Sequence, residues 1–170
     1  MQMAYQNGES LTPGIAFSAG STIKIAVMVT AYQEVAEPAS TKVVQLLQSM
    51  IAMSDNTSTD NLMREVLSPT LGPLTVTSTM RKLGLQSTFL DGMFYIGAPL
   101  LTGNIVTPAN SRRDVFTDPD PYNQTTPTEM GLLLADIYQC AQNDGGSLVA
   151  VFPGEITPAE CRSMISLLTQ

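Results

Sequence analysis

The stretch from Ser21 to about Val35 constrains this chain more than any other: Ser-Thr-Ile-Lys-Ile-Ala-Val-Met-Val-Thr-Ala-Tyr-Gln-Glu-Val. Its apolar residues surround a helical wheel rather than lining one stripe, so the element must be covered on every side. The β-branched content would also suit a strand, but a run this long without a turn residue favours a helix. Pro38 closes it.

A central buried helix needs neighbours, and the remaining periodic segments are helices too. One is predicted over Thr41 to Met53, with Val43, Val44, Leu46, Leu47, Met50 and Ile51 as a broad apolar face. Ser54-Asp55-Asn56 breaks it, a short helix resumes over Thr59 to Leu67, and another runs from Leu74 to Leu83 with Gly84 at its C′ position. Thr126-Pro127-Thr128-Glu129 is a capping box with Pro at the first helical position. The helix it opens should reach about Gln142 and bury Met130, Leu133, Leu134, Ile137 and Tyr138. Thr157-Pro158-Ala159-Glu160 repeats the box for a last helix through Leu168, after a turn at Asn143-Asp144-Gly145-Gly146. Residues 1–20 read as a polar lead-in with turns at Asn7-Gly8 and Pro13-Gly14, and 86–120 as a long irregular connection of the kind that carries function or disorder. The expectation is a single mainly α unit over 1–170, its helical region spanning 21–168.

Composition narrows the chemistry. A net charge of −7 argues against nucleic acid and anionic membrane as partners, and no apolar run is long enough to span a bilayer. The first twenty residues carry no positive charge and no continuous apolar core, so no signal peptide is expected in them. The absence of His removes the commonest general base and the commonest metal ligand together. Proton transfer near neutral pH then falls to a tuned Lys, Glu, Asp or Tyr, and no metal or cofactor is expected. Charged residues make up only 14%, against roughly 25% in an average soluble domain. The surface is therefore either rich in Ser, Thr, Gln and Asn or partly covered by something outside this sequence. Cys140 and Cys161 are too few for a disulfide framework; they are two buried thiols, or a pair if their helices pack together.

Two short motifs have chemical content. In Ser21-Thr22-Ile23-Lys24 the spacing of three sets a hydroxyl and an amine on one face at a helix start. A Lys whose pKa is lowered by burial and the positive helix end can activate a Ser nucleophile, and first-turn N–H groups can contribute to an oxyanion hole. The structural alternative is an N-cap Ser followed by a surface Lys. The apolar neighbours of Lys24 oppose that alternative. Ser54-Asp55-Asn56 supplies a hydroxyl, a carboxylate and an amide after an apolar helix, or else only a cap for the helix beginning near Thr59.

Together, Phe17 to Lys24, Met50 to Leu62, Gly72 to Leu85 and Thr125-Thr126-Pro127-Thr128-Glu129-Met130 stand in one order. That order resembles the class A β-lactamase and penicillin-binding-protein superfamily over residues 17–168. The resemblance implies the helical domain of an α/β (α+β) β-lactamase/transpeptidase-like fold, with most of the sheet missing. It implies Ser21 as the acylated nucleophile on an acyl-D-Ala-D-Ala peptide or β-lactam carbonyl, Lys24 as the base, and Ser54 as a proton relay to the leaving nitrogen. Asn56 would bind the substrate amide and orient Lys24, and Asp55 would hold the turn.

Three departures from the family bear on activity. The water-activating Glu that class A enzymes carry before T-T-P has no counterpart between Arg112 and Thr125, where Asp114, Asp118 and Asp120 are the carboxylates available. The connection between Lys24 and Ser54 is shorter than in those enzymes, which implies a more open cleft. The terminal K-T-G strand, which binds the substrate carboxylate, lacks a match through Gln170. The expectation is a truncated relative, inactive or incomplete as it stands, with a bare flank on the central helix where the sheet belongs. Such a flank favours homo-oligomers or a complementing fragment. The alternative is a noncatalytic helical module that binds peptide or protein. The family usually works in the periplasm or outside the cell, while the residues leave the compartment open.

Overall fold

The computed structural model describes residues 14–35 and 39–170. The turn at Asn7-Gly8, Pro13 and the helix stop at Pro38 lie outside the described residues. The chain runs β1 (Phe17–Ser18), a 3-10 turn (Gly20–Ile23), α1 (Lys24–Glu34), α2 (Thr41–Ala52), α3 (Asn56–Leu62) and a π turn (Met63–Leu67). It continues with α4 (Gly72–Lys82), β2 (Phe89–Leu90), β3 (Asn123–Thr125), α5 (Pro127–Asn143), α6 (Ser147–Val151) and α7 (Pro158–Leu168). The fold is mainly helical with one small antiparallel sheet, ordered β1-β3-β2.

Helix α1 is the axis of the core. Nine of its eleven residues are buried, among them Ala26, Val27, Met28 and Val29 with no exposure at all. It packs on α2, α3, α4 and α7, which is what an element apolar all round requires. Each fully buried Val or Met side chain contributes about 1.5–3 kcal/mol. The expected bare flank is not found: this chain's own helices cover α1, leaving only Ile25 half-buried and the exposed Glu34 at its end.

Several boundaries differ from those predicted, each for a local reason. The α-helix starts at Lys24, and Ser21 stands in the preceding 3-10 turn. Gly20 at φ +55° turns the chain, and Thr22 donates to the Ala19 carbonyl from both its amide and its hydroxyl, which tightens the turn to i→i+3. Helix α3 begins at Asn56 rather than Thr59, because the Asp55 carboxylate accepts from the Ser58 amide at 2.6 Å and caps it there. Helix α4 begins at Gly72, where an added Cβ would lie 2.9 Å from that of Met63, so the close approach of α4 to the π turn needs glycine.

The two capping boxes also differ. At α7 both halves are made, with Thr157 and Glu160 exchanging side-chain and backbone bonds. At α5 Thr126 accepts from the Glu129 amide, but the Glu129 carboxylate turns outward to the Ser87 amide and the Thr88 hydroxyl. That carboxylate ties the start of α5 to the segment leading into β2. Leu134 and Tyr138, predicted as core, are 40% and 57% exposed. The buried stripe of α5 is Leu133, Ile137, Cys140 and Ala141, and one residue onward turns a side chain about 100° away from it. Helix α6 was not predicted; Gly146 at φ +99° redirects the chain and the short apolar run Leu148 to Val151 folds back on α5.

Cys140 and Cys161 are joined in a buried disulfide, with Cα atoms 5.9 Å apart, linking α5 to α7. The irregular 86–120 connection is tethered at several points. Asp91 accepts from the Thr102 amide and hydroxyl, Tyr122 donates to the Ala98 carbonyl, and Asn110 donates to Ile105 and Gln124. These bonds tie the loop to itself and to the residues at β3.

Candidate active site

Three segments converge on the Lys24 amine. The 3-10 turn brings Ser21 from one side, the break after α2 brings Ser54 to Asn56 from a second, and the loop after β2 brings Phe94 from a third. Lys24 is only 2% exposed, so it is not a surface lysine. Its Nζ donates to the Ser54 carbonyl at 2.6 Å and to Asn56 Oδ1 at 2.8 Å, and lies 3.1 Å from Ser54 Oγ and 3.4 Å from Ser21 Oγ.

These distances divide the amine's partners. The two shortest bonds end on oxygens that can only accept, and a neutral amine still has two protons to give them. Its lone pair is then free for a hydroxyl, and the two within reach are Ser21 and Ser54. Burial pushes the Lys24 amine below the ordinary lysine value of 10.5, and the negative charges of Asp55 and Asp60 partly restore it. The amine is therefore available as a base at lower pH than an exposed lysine.

Ser54 is held in the left-handed region, at φ +53°, a conformation that costs a non-glycine residue about 1–2 kcal/mol. The twist points its carbonyl and hydroxyl back at Lys24 while the next residue caps α3. The conformation and the hydroxyl can be separated experimentally. Ser54→Gly relieves the strain and should hold or raise the thermal midpoint, Ser54→Ala keeps the strain, and both lose the hydroxyl. Denaturation curves of the two variants beside the parent check this, and equal midpoints would mean that the twist costs nothing.

Asp55 caps α3 with its carboxylate rather than bonding to Lys24. Hydrogen bonds from Ser58 hold its carboxyl below the usual carboxylate range. A cleft of about 320 Å³ opens beside the site, with Ser21, Lys24 and Ser54 on its polar side and Ile25, Ile51 and Leu168 on its apolar side.

Ser21, Lys24, Ser54 and Asn56 thus come together, although they derive from two segments thirty residues apart. The carboxylates between Arg112 and Thr125 do not reach the amine: Asp114 pairs with Arg112, and Asp120 accepts from the Tyr122 amide. The acidic groups that act on Lys24 are Asp55 and Asp60. Sequence reasoning missed Asp60 and Phe94. Asp60 lies three residues before the buried Met63, a helical spacing that would have marked it as facing inward; Phe94 lies in an irregular loop, where no such signal exists. Among the described residues no group of His, Cys, Asp and Glu is arranged to hold a metal, and no helix is long and apolar enough to cross a membrane.

A model of the β-lactamase enzyme family (Beta-lactamase2) matches residues 33–150, well over half of the chain. The match includes Ser54, Asp55 and Asn56 and begins downstream of Ser21 and Lys24. No curated protein matches the chain.

Proposed function

The chain belongs to the β-lactamase enzyme family, and from that premise we propose that it carries out serine acyl-transfer chemistry on an amide or β-lactam carbonyl, with Ser21 as nucleophile. The observation that carries this reading is the buried Lys24 amine with Ser21 Oγ, Ser54 Oγ and Asn56 Oδ1 all around it.

In this reading neutral Lys24 takes the Ser21 proton as Ser21 Oγ bonds to the carbonyl carbon. The charge on the former carbonyl oxygen is met by the backbone N–H of Ser21, since the Thr22 and Lys24 amides already donate within the turn. Collapse breaks the C–N bond, and the proton travels from Lys24 through the Ser54 hydroxyl to the leaving nitrogen. The product is an ester on Ser21, which water then cleaves. Asn56 keeps Lys24 in place through its Oδ1 and has its amide NH₂ left for the acyl side of the substrate. A peptide ending in D-Ala-D-Ala and a penicillin offer the same reacting carbonyl. Asp114, Asp118 and Asp120 have no contact with Lys24, so hydrolysis of the ester is the slow step.

The same reading takes residues 1–170 as one partial domain whose cleft gains a further wall from another segment or a second chain. The open apolar side at Ile25, Ile51 and Leu168 supports it, as does the fact that, among the described residues lining that cleft, Lys24 is the one cation available to meet a substrate carboxylate.

A fluorescent penicillin should label the protein on a denaturing gel, and Ser21→Ala should remove the label while leaving the circular dichroism spectrum unchanged. Label that survives in Ser21→Ala would mean that another residue is the nucleophile.

A further inference from the structure

Asp60 belongs to none of the roles assigned above, yet it is a carboxylate only 3% exposed in the core of the site. Its two oxygens are used separately: Oδ1 accepts from the Phe94 amide at 2.8 Å and Oδ2 from the Tyr95 amide at 3.0 Å. Charge-assisted bonds of this kind are about twice as strong as neutral ones, and the pair fixes the backbone of both loop residues at once. The Phe94 ring is thereby set 5.2 Å from the Lys24 amine. A second contact holds the neighbouring residue, since the Arg64 guanidinium lies 5.3 Å from the Tyr95 ring.

The ring is not needed as a partner for the charge. The Lys24 amine already has oxygen partners for every proton, in Ser54 and Asn56. What the ring adds is cover: an apolar face 5.2 Å from the amine, presented by a segment other than the 3-10 turn and the Ser54 segment. Water that reached the amine there would hydrate its charged form and compete for its lone pair.

We propose that Asp60 is a positioning residue, which clamps the Phe94–Tyr95 backbone and so keeps the Phe94 ring seated over Lys24 as a dry cover. The carboxylate is required rather than merely tolerated. Asparagine at the same place has one oxygen for two N–H donors and turns its own NH₂ against the second. The clamp stands on geometry alone; only its effect on the acyl-enzyme rests on the reading of Ser21 and Lys24 given above.

Two measurements read the clamp without any reaction. Hydrogen exchange at the Phe94 and Tyr95 amides should accelerate about ten-fold or more in Asp60→Asn, as loss of a bond to a charged group implies, while amides of α1 and α5 keep their protection. The chain contains no Trp, so Phe94→Trp places a sole indole at the cover. Its emission should be blue and poorly quenched by iodide, and adding Asp60→Asn should shift it to the red and expose it to the quencher. Unchanged exchange at both amides, or an indole equally exposed with and without Asp60, would overturn the proposal.

A third measurement reads the consequence. In a labelled-penicillin chase the adduct should be lost several-fold faster from Asp60→Asn than from the parent, because water gains the open side. It should be lost equally fast from Phe94→Ala with or without the Asp60 change. An adduct lifetime unmoved by either substitution would refute the cover's role. If the parent forms no adduct, the serine-acylation reading fails, and the exchange and fluorescence results still decide the clamp.

Discussion

Replacing Lys24 by Met should lower the rate of acylation by about 10²–10⁴-fold, the range a positioned general base contributes, while leaving the protein at least as stable as the parent. The two halves of this result follow from one observation. A lysine amine only 2% exposed gives up its hydration to stand beside Ser21 Oγ, and Met fills a similar volume without that loss. Replacing a buried charge by an apolar residue of like size is often neutral or stabilising, even though the Ser54 carbonyl and Asn56 Oδ1 lose a donor.

The pH dependence gives the same variant a second signature. The Lys24 pKa is lower in the folded protein than in the unfolded chain, first through burial, so the unfolded chain binds more protons in the interval between the two values. Stability must then rise with pH across that interval, from the lowered folded value up to the ordinary 10.5. Below the folded value the penalty for burying the charge is present in full. Urea midpoints collected from neutral to alkaline pH should show that rise in the parent and lack it in Lys24→Met. A lysine kept for structure would instead make the Met variant markedly less stable at every pH.

Breaking the Cys140–Cys161 disulfide should cost about 3 kcal/mol of stability, the loop-closure entropy of a loop of this length. The bond spans a sequence separation of 21 and fastens α5 to α7, the pair of helices with the most extensive mutual packing. Urea unfolding with and without reductant measures the loss. The effect should extend to the site, because the last turn of α7 contributes Leu167 and Leu168 to the cleft beside Ser21. A reduced protein with an unchanged midpoint would mean that packing of the two helices alone holds them together.

Much of this architecture was legible in the sequence. Residues 24–34 are apolar on every side and became the buried axis; Thr157 and Glu160 spelled out a cap that formed in full; Pro127 and Gly84 marked a helix start and a helix end correctly. Ser21, Lys24, Ser54 and Asn56 were named from two short motifs, and the fold brings the other three to the Lys24 amine.

What escaped was whatever depended on a partner distant in sequence. Glu129 has the residue type and position for a capping box, yet its carboxylate is drawn to Ser87 and Thr88, which the sequence could not place beside it. Leu134 and Tyr138 look like core by type, and only the packing of α6 and α7 on α5 decides that Leu133 and Ile137 are the residues covered. The bare flank expected on α1 vanished for a similar reason: four helices of the chain surround it. Asp60 and Phe94 are 34 residues apart and meet only because β2 sets the loop after it against α3. Pairing of the two cysteines likewise waited on the contact of their helices.

The most direct test of the account is intact-protein mass spectrometry after incubation with benzylpenicillin, followed by peptide mapping. The account predicts a mass increase of one penicilloyl group, carried by the peptide that contains Ser21. A folded protein that gains no mass, or gains it on a peptide without Ser21, would contradict the assignment of Ser21 and Lys24 as the reacting pair.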